Sequence, residues 1–557
     1  MSSQRGFLSK KRVEQGSWRD LERSVGRLFT HRGWSHVALV GGSGDHGADV
    51  IASSNDRDVV AQVKFNSDPR NKAGKRIVQD VKRAMEFYDV DEGVCITNTS
   101  LTDSAHERRA ELEDAGYEIG VMNGSELLET YRNLNRWPQN DYEPYEYQKE
   151  PIETLTDLYR SGYDKALLSL ATGLGKTFVA GRFLKNLLEN RPQMRVLVLA
   201  HQKPLVRQFD QSLWNHIPKV TSTHLWYDNV SPEYGGGIDL GTFQTLSNRD
   251  HLPPEEALKY DLVIVDEAHH APASSYRVVL DRTDPDFTLG LTATPWRNDE
   301  RSLEDLFGPV RDDLTIDVIE GLNRGYLTQV DYRMYCDNLD WETIQQQSRE
   351  NYTVRDLNKH LFIEERDDEV IREFDKVFED SDTGRAIIYS PSIDYATRMA
   401  NRLRENGYGA RSLHSDLDDR ETERRLRAFR RGNIEVLTAV DMLNEGVDIP
   451  EVDIIMFLRV THSRRIFLQQ LGRGLRLAEG KDKVIVMDLV ADIRRVAEAL
   501  DLDQDVEKGN DIEVMSTGFE LNFNDQNAQS FFREYLNDKA AISTLDGEEE
   551  IKFPDPG

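Results

Sequence analysis

The pattern of apolar and polar positions divides the chain into blocks in which strand and helix patterns alternate. Residues from about 14 to 134 show such an alternation, and a polar, Pro-containing linker at 135–141 follows them. From 142 to about 318, apolar strand-like runs alternate with amphipathic helical segments, which predicts a parallel sheet flanked by helices. The runs VLVLA at 196–200 and LVIVD at 262–266 are almost continuously apolar, as expected for strands buried on both faces.

The second half of the chain repeats this alternation once. A helical, charged segment at 319–383 connects to a second α/β block at 384–497, which begins with the strand-like run RAIIYS. The remaining tail, 498–557, is acidic and is expected to be partly disordered. The pattern therefore predicts an α/β protein with three ordered domains.

Composition adds a strongly acidic character. The chain has 557 residues, a net charge of -29 and a pI of about 4.9, and arginine outnumbers lysine. This composition resembles that of halophilic archaeal proteins; the alternative is an ordinary acidic cytosolic protein. No apolar run has membrane-spanning length and no signal-peptide core is visible, so we expect a cytoplasmic protein without membrane contact. Cys95 and Cys336 have no metal-ligand spacing, and neither a zinc site nor a disulfide framework is expected.

A glycine-rich segment, ATGLGKT at 171–177, lies between a strand-like run and a helix-like run, which is the setting that a phosphate loop requires. Glycines let backbone N–H groups approach phosphate, and a helix N-terminus favours anions. Lys176 would reach the β- and γ-phosphates, and Thr177 would hold Mg²⁺. The alternative is a turn with an incidental GKT. The residues assigned to ATP here are Thr172, Gly173, Leu174, Gly175, Lys176 and Thr177.

An acidic cluster, DEAHH at 266–270, ends the LVIVD run. A carboxylate at the end of a parallel strand can face the phosphate loop, so Asp266 is assigned to the metal. Glu267 is placed to orient and deprotonate the attacking water. Taken alone, such a cluster is usually a solvated strand end; its position about ninety residues after Lys176 favours catalysis.

Together these segments resemble superfamily 2 helicases of the DEAD/DEAH type, such as the Res subunit of type III restriction enzymes. PYEYQKE at 144–150 resembles the adenine-reading segment, with Gln148 as the base contact; Tyr145 stands where the family often has arginine. Further segments resemble the backbone-contacting, coupling and second-lobe motifs of that family: AHQKPLVRQF at 200–209, GTFQTL at 241–246, LTATP at 291–295, LHSDL at 413–417 and NEGVDIP at 444–450, in which Gly446 and Asp448 are assigned to the nucleotide.

QQLGRGLR at 469–476 resembles the arginine-finger motif of the same family, with Arg473 and Arg476 as the candidates. These arginines are three residues apart and would share one face if they lie on a helix. A solvated basic helix is the alternative for this segment alone. The resemblance implies ATP hydrolysis between two RecA-like lobes, with the second lobe supplying charge stabilisation to phosphoryl transfer.

The segment at 42–65 carries a second candidate chemistry. Asp49 precedes one apolar run, and Gln62 and Lys64 lie two apart on the next, so their side chains share a face of the strand. This pattern resembles the core of Mrr-like restriction endonucleases in the PD-(D/E)xK superfamily. The resemblance implies that Asp49 and Gln62 hold Mg²⁺, that Lys64 positions or activates water, and that Glu22 on the preceding helix completes the site. A hairpin with a salt-bridged lysine is the alternative.

The resulting prediction is a restriction-endonuclease-like α/β domain at 14–134, followed by two RecA-like parallel-sheet lobes at 142–318 and 384–497. The implied function is an ATP-dependent DNA helicase or translocase coupled to a Mg²⁺-dependent endonuclease, acting on DNA with partner subunits of a restriction or defence system. The alternatives are a non-cleaving repair or remodelling translocase and an RNA helicase. Because the net charge opposes DNA binding, local basic stretches such as 64–83 would have to contact the phosphate backbone.

Overall fold

The protein is described by a computed structural model, which forms two compact units. The first comprises Met1–Ser169 and Gly175–Thr315, and the second comprises Leu170–Leu174 and Ile316–Gly557. The structure describes residues 6–41, 47–54, 57–226, 237–247, 259–270, 274–293, 300–335, 367–440, 449, 451–459, 464–478, 480–489 and 519–523.

The N-terminal domain is built on a five-stranded sheet in the order β1-β2-β3-β4-β5. The first three strands are antiparallel, and β3, β4 and β5 are parallel. Its elements are α1 (Lys10–Gln15), α2 (Trp18–His31), β1 (His36–Leu39), β2 (Val50–Ser54), β3 (Arg57–Lys64), α3 (Arg76–Tyr88), β4 (Glu92–Thr97), α4 (Asp103–Asp114), β5 (Glu118–Met122) and α5 (Gly124–Asn133).

Strand β3 is buried on both faces because helices cover both sides of this sheet. Val60 belongs to one core with Val81 of α3, whereas Val59 belongs to a second core with Val25 of α2. Helix α2 begins where Ser17 accepts a hydrogen bond from the N–H of Asp20 through its side chain, which satisfies one of the free donors of the first turn. The period of two along β3 then places Gln62 and Lys64 on the face that Val60 shares.

The first RecA-like lobe contains a seven-stranded sheet in the order β12-β6-β11-β10-β7-β9-β8. The registered pairs from β6 to β8 are all parallel, as the alternating pattern predicted. The elements of this lobe are α6 (Glu146–Arg160), β6 (Lys165–Leu170), α7 (Lys176–Asn190), β7 (Arg195–Ala200), α8 (Lys203–Leu213), β8 (Thr223–Leu225), β9 (Gly237–Thr242), α9 (Phe243–Ser247), β10 (Leu262–Val265), α10 (Ser274–Thr283), β11 (Phe287–Thr292), α11 (Glu300–Phe307) and β12 (Thr315–Ile316).

The second unit has one seven-stranded sheet in the order β15-β16-β14-β17-β18-β13-β19, with parallel registered pairs. Two of its strands come from segments to which the sequence assigned no role: β13 from 319–383 and β19 from the acidic tail. The elements are α12 (Val318–Asn323), β13 (Gln329–Met334), α13 (Asp367–Phe378), β14 (Ala386–Tyr389), α14 (Ile393–Glu405), β15 (Ala410–Leu413), α15 (Asp419–Arg430), β16 (Val436–Ala439), β17 (Ile454–Phe457), α16 (Arg464–Leu471), β18 (Lys483–Asp488) and β19 (Phe519–Phe523).

Within the described ranges, every helix is too short or too polar to cross a lipid bilayer.

Within the first unit, the N-terminal domain and the first RecA-like lobe are joined by hydrogen bonds at Lys219. Its ammonium donates to the carbonyls of Tyr131 (3.2 Å), Arg132 (2.9 Å) and Leu134 (2.5 Å) at the end of α5. A cation at these last carbonyls satisfies free acceptors and complements the negative end of the helix dipole. The carbonyl of Lys219 in turn accepts from the N–H of Phe7 at 3.2 Å.

Acid is expected to loosen this junction through His31, which is buried beside Phe7. Burial, together with the positive charges of Arg27 and Lys219, lowers the pKa of His31 to about 2. The unfolded chain takes up this proton near pH 6.5, so below that value it binds one proton more than the folded state. The contribution of His31 to the free energy of unfolding is therefore fully present above about pH 6.5. Below that pH it falls by about 1.4 kcal/mol per pH unit, until the pKa of His31 in the folded state is reached.

Urea unfolding at about pH 7.5 and pH 5 measures this loss, and His31→Leu should reduce it by about 2 kcal/mol. The exposed His106 of α4 provides the matched control, because His106→Leu should retain the wild-type difference. An unchanged difference in His31→Leu would contradict this origin of the acid sensitivity.

Candidate functional site

The predicted phosphate loop joins β6 to α7, and Lys176 and Thr177 are the first two residues of that helix. Gly173 and Gly175 have positive φ angles of 100° and 83°, which glycine adopts without a steric penalty. The N-terminus of α7 therefore opens onto the loop, where free backbone N–H groups favour an anion. The turn between the strand and the helix contains the remaining residues assigned to ATP, which are Thr172, Gly173, Leu174 and Gly175.

The predicted adenine-reading segment lies against this loop. Gln148 is buried in α6, and a Cβ placed on Gly175 would be only 2.7 Å from its Nε2. Its Oε1 accepts from the N–H of Tyr145 at 3.0 Å, which fixes the direction of the amide. The ring of Tyr145 is 60% exposed and stacks on Tyr147 with a centroid distance of 5.6 Å. Gln148 is thus close to the loop, whereas its contact with a base stays a prediction.

Three motif-bearing strands, β6, β11 and β10, are neighbours in the sheet of this lobe and run parallel. Their carboxyl ends therefore meet at one edge. Lys176 follows β6, Thr292 ends β11, and Asp266 and Glu267 follow β10. This edge carries the predicted phosphate-binding lysine, the predicted metal ligand Asp266 and the predicted general base Glu267.

The backbone at this edge is strained at Glu267, whose φ angle is 48°. A non-glycine residue in this region costs about 1–3 kcal/mol and is found mainly at functional sites. Nδ1 of the buried His269 lies 3.3 Å from Glu267 Oε2 and 3.2 Å from Thr292 Oγ1. His269 therefore links the predicted general base to the LTATP segment, a role that the sequence reading had not assigned to it.

In the second unit, α16 ends at Leu471, and Arg473 and Arg476 lie in the turn beyond it. The expectation that these two arginines share one face of a helix is therefore wrong. Gly472 and Gly474 explain the helix end, because glycine within a helix costs about 1 kcal/mol relative to alanine. Arg473 is 8% exposed, and a role towards phosphate stays a prediction for both arginines.

The turn that carries the two arginines is held by Lys481, which the sequence reading missed. Its ammonium is buried and donates to the carbonyl of Gly474 at 2.6 Å and to that of Arg476 at 3.0 Å. Thr328 adds an Oγ1 hydrogen bond of 2.9 Å to the same Arg476 carbonyl. Burial lowers the pKa of Lys481 to about 8. Two side chains from other segments therefore fix the backbone of this turn.

Several predicted positions lie outside the described residues. Gly446 and Asp448, assigned to the nucleotide, are among them, as are most of NEGVDIP and the end of LTATP. The two predicted backbone-contacting segments of the first lobe are described, and they correspond to the start of α8 and to the β9–α9 junction.

The predicted cutting site lies at the end of the N-terminal sheet, where Asp49 precedes β2. Asp49 is 3% exposed, and its Oδ2 accepts from the N–H of Val63 at 2.7 Å and from Nε2 of Gln62 at 2.5 Å. These bonds tie the aspartate to β3 and place it on the same face as Gln62. The predicted juxtaposition of Asp49 with the strand that carries Gln62 and Lys64 is thus what the structure shows.

The other oxygen of Asp49 and the carboxylate of Glu22 on α2 both lie near Gly41. A Cβ placed on Gly41 would lie 3.1 Å from Asp49 Oδ1 and 3.0 Å from Glu22 Oε2, so both carboxylates border the space beside this glycine. Oε1 of Gln62 is buried and accepts no hydrogen bond from the described part of the chain. The two carboxylates beside Gly41 are the oxygen donors that a hard divalent cation prefers, and water would complete its shell.

Elsewhere, the described ranges contain no cluster of three His, Cys, Asp or Glu side chains suited to a metal ion. The site at Gly41 has only two carboxylates and so does not form such a cluster.

Lys64 is the last residue of β3 and is exposed, two positions beyond Gln62 on the same face. The basic stretch that follows is partly neutralised within the domain. Arg70 pairs with Asp68 at 2.8 Å, and Arg83 pairs with Asp80. Lys72, Lys75 and Arg76 are exposed, and contact with a phosphate backbone stays a prediction for them.

Three protein families match separate parts of the chain, and together these parts contain most of the elements described above. Residues 13–131 match the Mrr-type catalytic family described as restriction endonuclease, residues 141–297 match the res subunit of type III restriction enzymes, and residues 365–478 match the helicase conserved C-terminal domain.

Individual relatives agree with these matches. A Saccharomyces cerevisiae protein provisionally named the ATP-dependent helicase IRC3 is 25% identical over 370 residues, which cover 62% of this chain and 51% of that protein. The EcoAI endonuclease subunit, a type I restriction enzyme subunit of Escherichia coli, is 26% identical over 383 residues, covering 61% of this chain and 45% of that protein. The chain thus spans about half the length of these two relatives.

Among solved structures, the ATP-dependent type ISP restriction-modification enzyme LlaBIII bound to DNA has a similar fold, with a TM-score of 0.53 and 16% identity over 96% of this chain and 43% of that chain. The predicted resemblance is confirmed: residues 13–131 are similar to Mrr-type restriction endonucleases, residues 141–297 to the res subunit of type III restriction enzymes, and residues 365–478 to the helicase C-terminal domain.

Proposed function

We propose that this protein is an ATP-dependent DNA helicase or translocase that also cuts DNA with a Mg²⁺-dependent endonuclease site. The observation that carries the proposal is that one compact unit contains two separate arrangements suited to phosphate chemistry. The first is the strand edge with Lys176, Asp266 and Glu267. The second is the convergence of Asp49 and Glu22 beside Gly41.

For the motor, ATP supplies the phosphoryl group and its Mg²⁺ neutralises charge on the phosphates. Lys176 and the first N–H groups of α7 would bind the phosphates, while Thr177 and Asp266 would hold the metal. Glu267 would accept a proton from the attacking water. His269 would relay a change at Glu267 to Thr292, since it lies within 3.3 Å of both side chains.

For the nuclease, a divalent cation would polarise the scissile phosphate and lower the pKa of a bound water. Glu22, Asp49 and the Oε1 of Gln62 would hold it. Lys64 would orient the attacking water and stabilise the negative charge that develops on the phosphate. The hydrogen bonds from Val63 and Gln62 keep Asp49 in place, so the site is organised before a metal binds.

Restriction or defence is the proposed setting, inside the cell and with partner subunits, because the motor is similar to endonuclease subunits of type I restriction enzymes. A repair or remodelling translocase whose N-terminal domain only binds DNA is the second candidate. The buried and organised Asp49 favours the cutting function over this alternative, since a binding module needs no convergence of carboxylates.

An assay of ATP hydrolysis and strand cleavage on single-stranded, duplex and forked DNA, with RNA as a comparison, tests the proposal. It should be run at high salt, because salt screens the self-repulsion that a net charge of -29 causes within the folded protein. We expect stimulation of the ATPase by DNA above that by RNA, and Mg²⁺-dependent nicking. ATPase activity without any cleavage would favour the repair or remodelling translocase.

Glu267→Gln is expected to bind ATP normally but to hydrolyse it about 10²–10⁴-fold more slowly, because the amide cannot accept a proton. Retention of labelled nucleotide on a filter measures binding, and phosphate release measures turnover. Glu153→Gln on the exposed side of α6 is the matched control and should behave as the wild type. Turnover at the wild-type rate in Glu267→Gln would exclude Glu267 as the base.

A further inference from the structure

Helix α2 carries both Glu22 of the cutting site and, as its next residue, an arginine directed to the motor lobe. Nη2 and Nε of Arg23 lie 2.8 Å and 3.3 Å from Oδ2 of Asp210, near the end of α8. Nη2 also donates to Thr223 Oγ1 at 2.9 Å. The pair joins side chains 187 residues apart in sequence, with Asp210 2% exposed and the Arg23 side chain 16% exposed.

Asp210 is held rigidly on the motor side. Its second oxygen, Oδ1, accepts from the indole N–H of Trp214 at 3.1 Å. Trp214 is buried against α2, since a Cβ placed on Gly26 of that helix would lie 3.2 Å from Cζ3 of the tryptophan. Both carboxylate oxygens of Asp210 are therefore engaged, and the contact between α2 and α8 combines an ion pair with close packing.

We propose that Arg23 is a positioning residue for the cutting site. Its ion pair with Asp210 fixes α2 against α8, and this keeps the Glu22 carboxylate opposite Asp49 across the space beside Gly41. The proposal rests on the nuclease function proposed above. The ion pair also connects the helix that carries Glu22 directly to α8. Helix α8 begins in the segment that resembles a contact to the DNA backbone, so a movement of that segment would be transmitted to Glu22.

The physical reason is that neighbouring residues of a helix point about 100° apart, so the orientation that seats Arg23 on the motor also sets the direction of Glu22. Removing one partner of a buried pair leaves the other charge without compensation, and the local structure must shift to solvate it. A shift of α2 would move Glu22 relative to Asp49. A metal ligand that is displaced in this way binds more weakly even though it is chemically intact.

The test measures metal binding directly, with Mn²⁺ as the probe and the full-length protein free of ATP and DNA. Electron paramagnetic resonance counts the bound ion, and Asp49→Asn provides the blank for weak sites on the acidic surface. Arg23→Ala and Asp210→Asn should each weaken the Asp49-dependent Mn²⁺ site about tenfold, the lower end of the usual effect of groups that orient a ligand. Asp210→Asn removes the charge from the motor side and keeps an oxygen for Trp214.

The Mg²⁺ concentration for half-maximal cleavage should rise by a similar factor in Arg23→Ala, with an unchanged rate of ATP hydrolysis without DNA. Arg19 lies on the same helix and is exposed, so Arg19→Ala should leave both metal readings unchanged. In a Glu22→Gln background, Arg23→Ala should add less than a twofold further loss, since the positioned carboxylate is already absent.

Three results would overturn the proposal. If Arg23→Ala and Asp210→Asn both bind Mn²⁺ as tightly as the wild type, and the wild type cleaves DNA, Arg23 has no positioning role. The nuclease proposal is then unaffected. A full additional tenfold loss in the Glu22→Gln background would indicate general loosening of the domain. A wild-type protein with neither an Asp49-dependent Mn²⁺ site nor cleavage would end the nuclease proposal, and the positioning role with it.

Discussion

Replacing Lys64 by alanine is expected to reduce Mg²⁺-dependent DNA cleavage by about 10²–10⁴-fold, which is the usual contribution of a positioned proton-transfer or charge-stabilising group. Lys64 ends β3 on the face of Gln62, whose amide is bonded to Asp49. Its ammonium is exposed and therefore free to meet a phosphate approaching the two carboxylates. Alanine removes this charge without disturbing the buried part of the strand.

Nicking of supercoiled plasmid measures cleavage, and phosphate release from ATP on the same samples measures the motor. Lys10→Ala, an exposed lysine in the same domain, is the matched control and should retain both activities. Cleavage by Lys64→Ala at the wild-type rate would exclude Lys64 from the cutting chemistry. A parallel loss of ATP hydrolysis would show that the substitution damages the fold of the first unit rather than the cutting chemistry.

The elements that the sequence predicted well are those fixed by short-range pattern. The period of two along β3 placed Gln62 and Lys64 on one face, and the bond between Gln62 and Asp49 confirms that this face also carries the aspartate. Continuous apolar runs marked β7 and β10 as strands of a parallel sheet, and both are. Because parallel strands end at a common edge, the order of motifs was enough to bring Lys176 and Glu267 to that edge.

The arginine-finger turn shows where local pattern was insufficient. Three-residue spacing suggested a shared helical face for Arg473 and Arg476, yet α16 ends at Leu471. The two glycines within QQLGRGLR are the local signal of this helix end. What fixes the turn instead is Lys481, whose hydrogen bonds to two carbonyls have no signature in the spacing of residues.

Contacts between distant segments were beyond any reading of the sequence. The ion pair of Arg23 with Asp210 spans 187 residues, and each partner lies on an amphipathic helix where a charge is ordinarily solvated. The strands β13 and β19 likewise come from stretches with no assigned role, and they become ordered by pairing with each other and, for β13, with β18. Such pairings depend on the assembled sheet and not on the local preference of either segment.

Replacing Lys176 by alanine is expected to reduce ATP hydrolysis by at least about 10²–10³-fold, the range for removing one donor that stabilises transition-state charge. Lys176 is the first residue of α7, directly after the left-handed Gly175. Alanine has the highest helix propensity, so α7 and the surrounding sheet should keep their structure. The loss should therefore appear in nucleotide binding and turnover, with a melting temperature close to that of the wild type.

Phosphate release at saturating ATP, binding of labelled ATP and thermal melting of the same preparations separate these effects. Lys259→Ala is the matched control, because this lysine is exposed in the same lobe and belongs to none of the motifs. Retained turnover in Lys176→Ala would overturn the assignment of the phosphate loop. The variant also isolates the nuclease: cleavage that stops together with ATP hydrolysis requires a moving motor, whereas cleavage that persists shows that Asp49, Glu22 and Lys64 act on any DNA that reaches them.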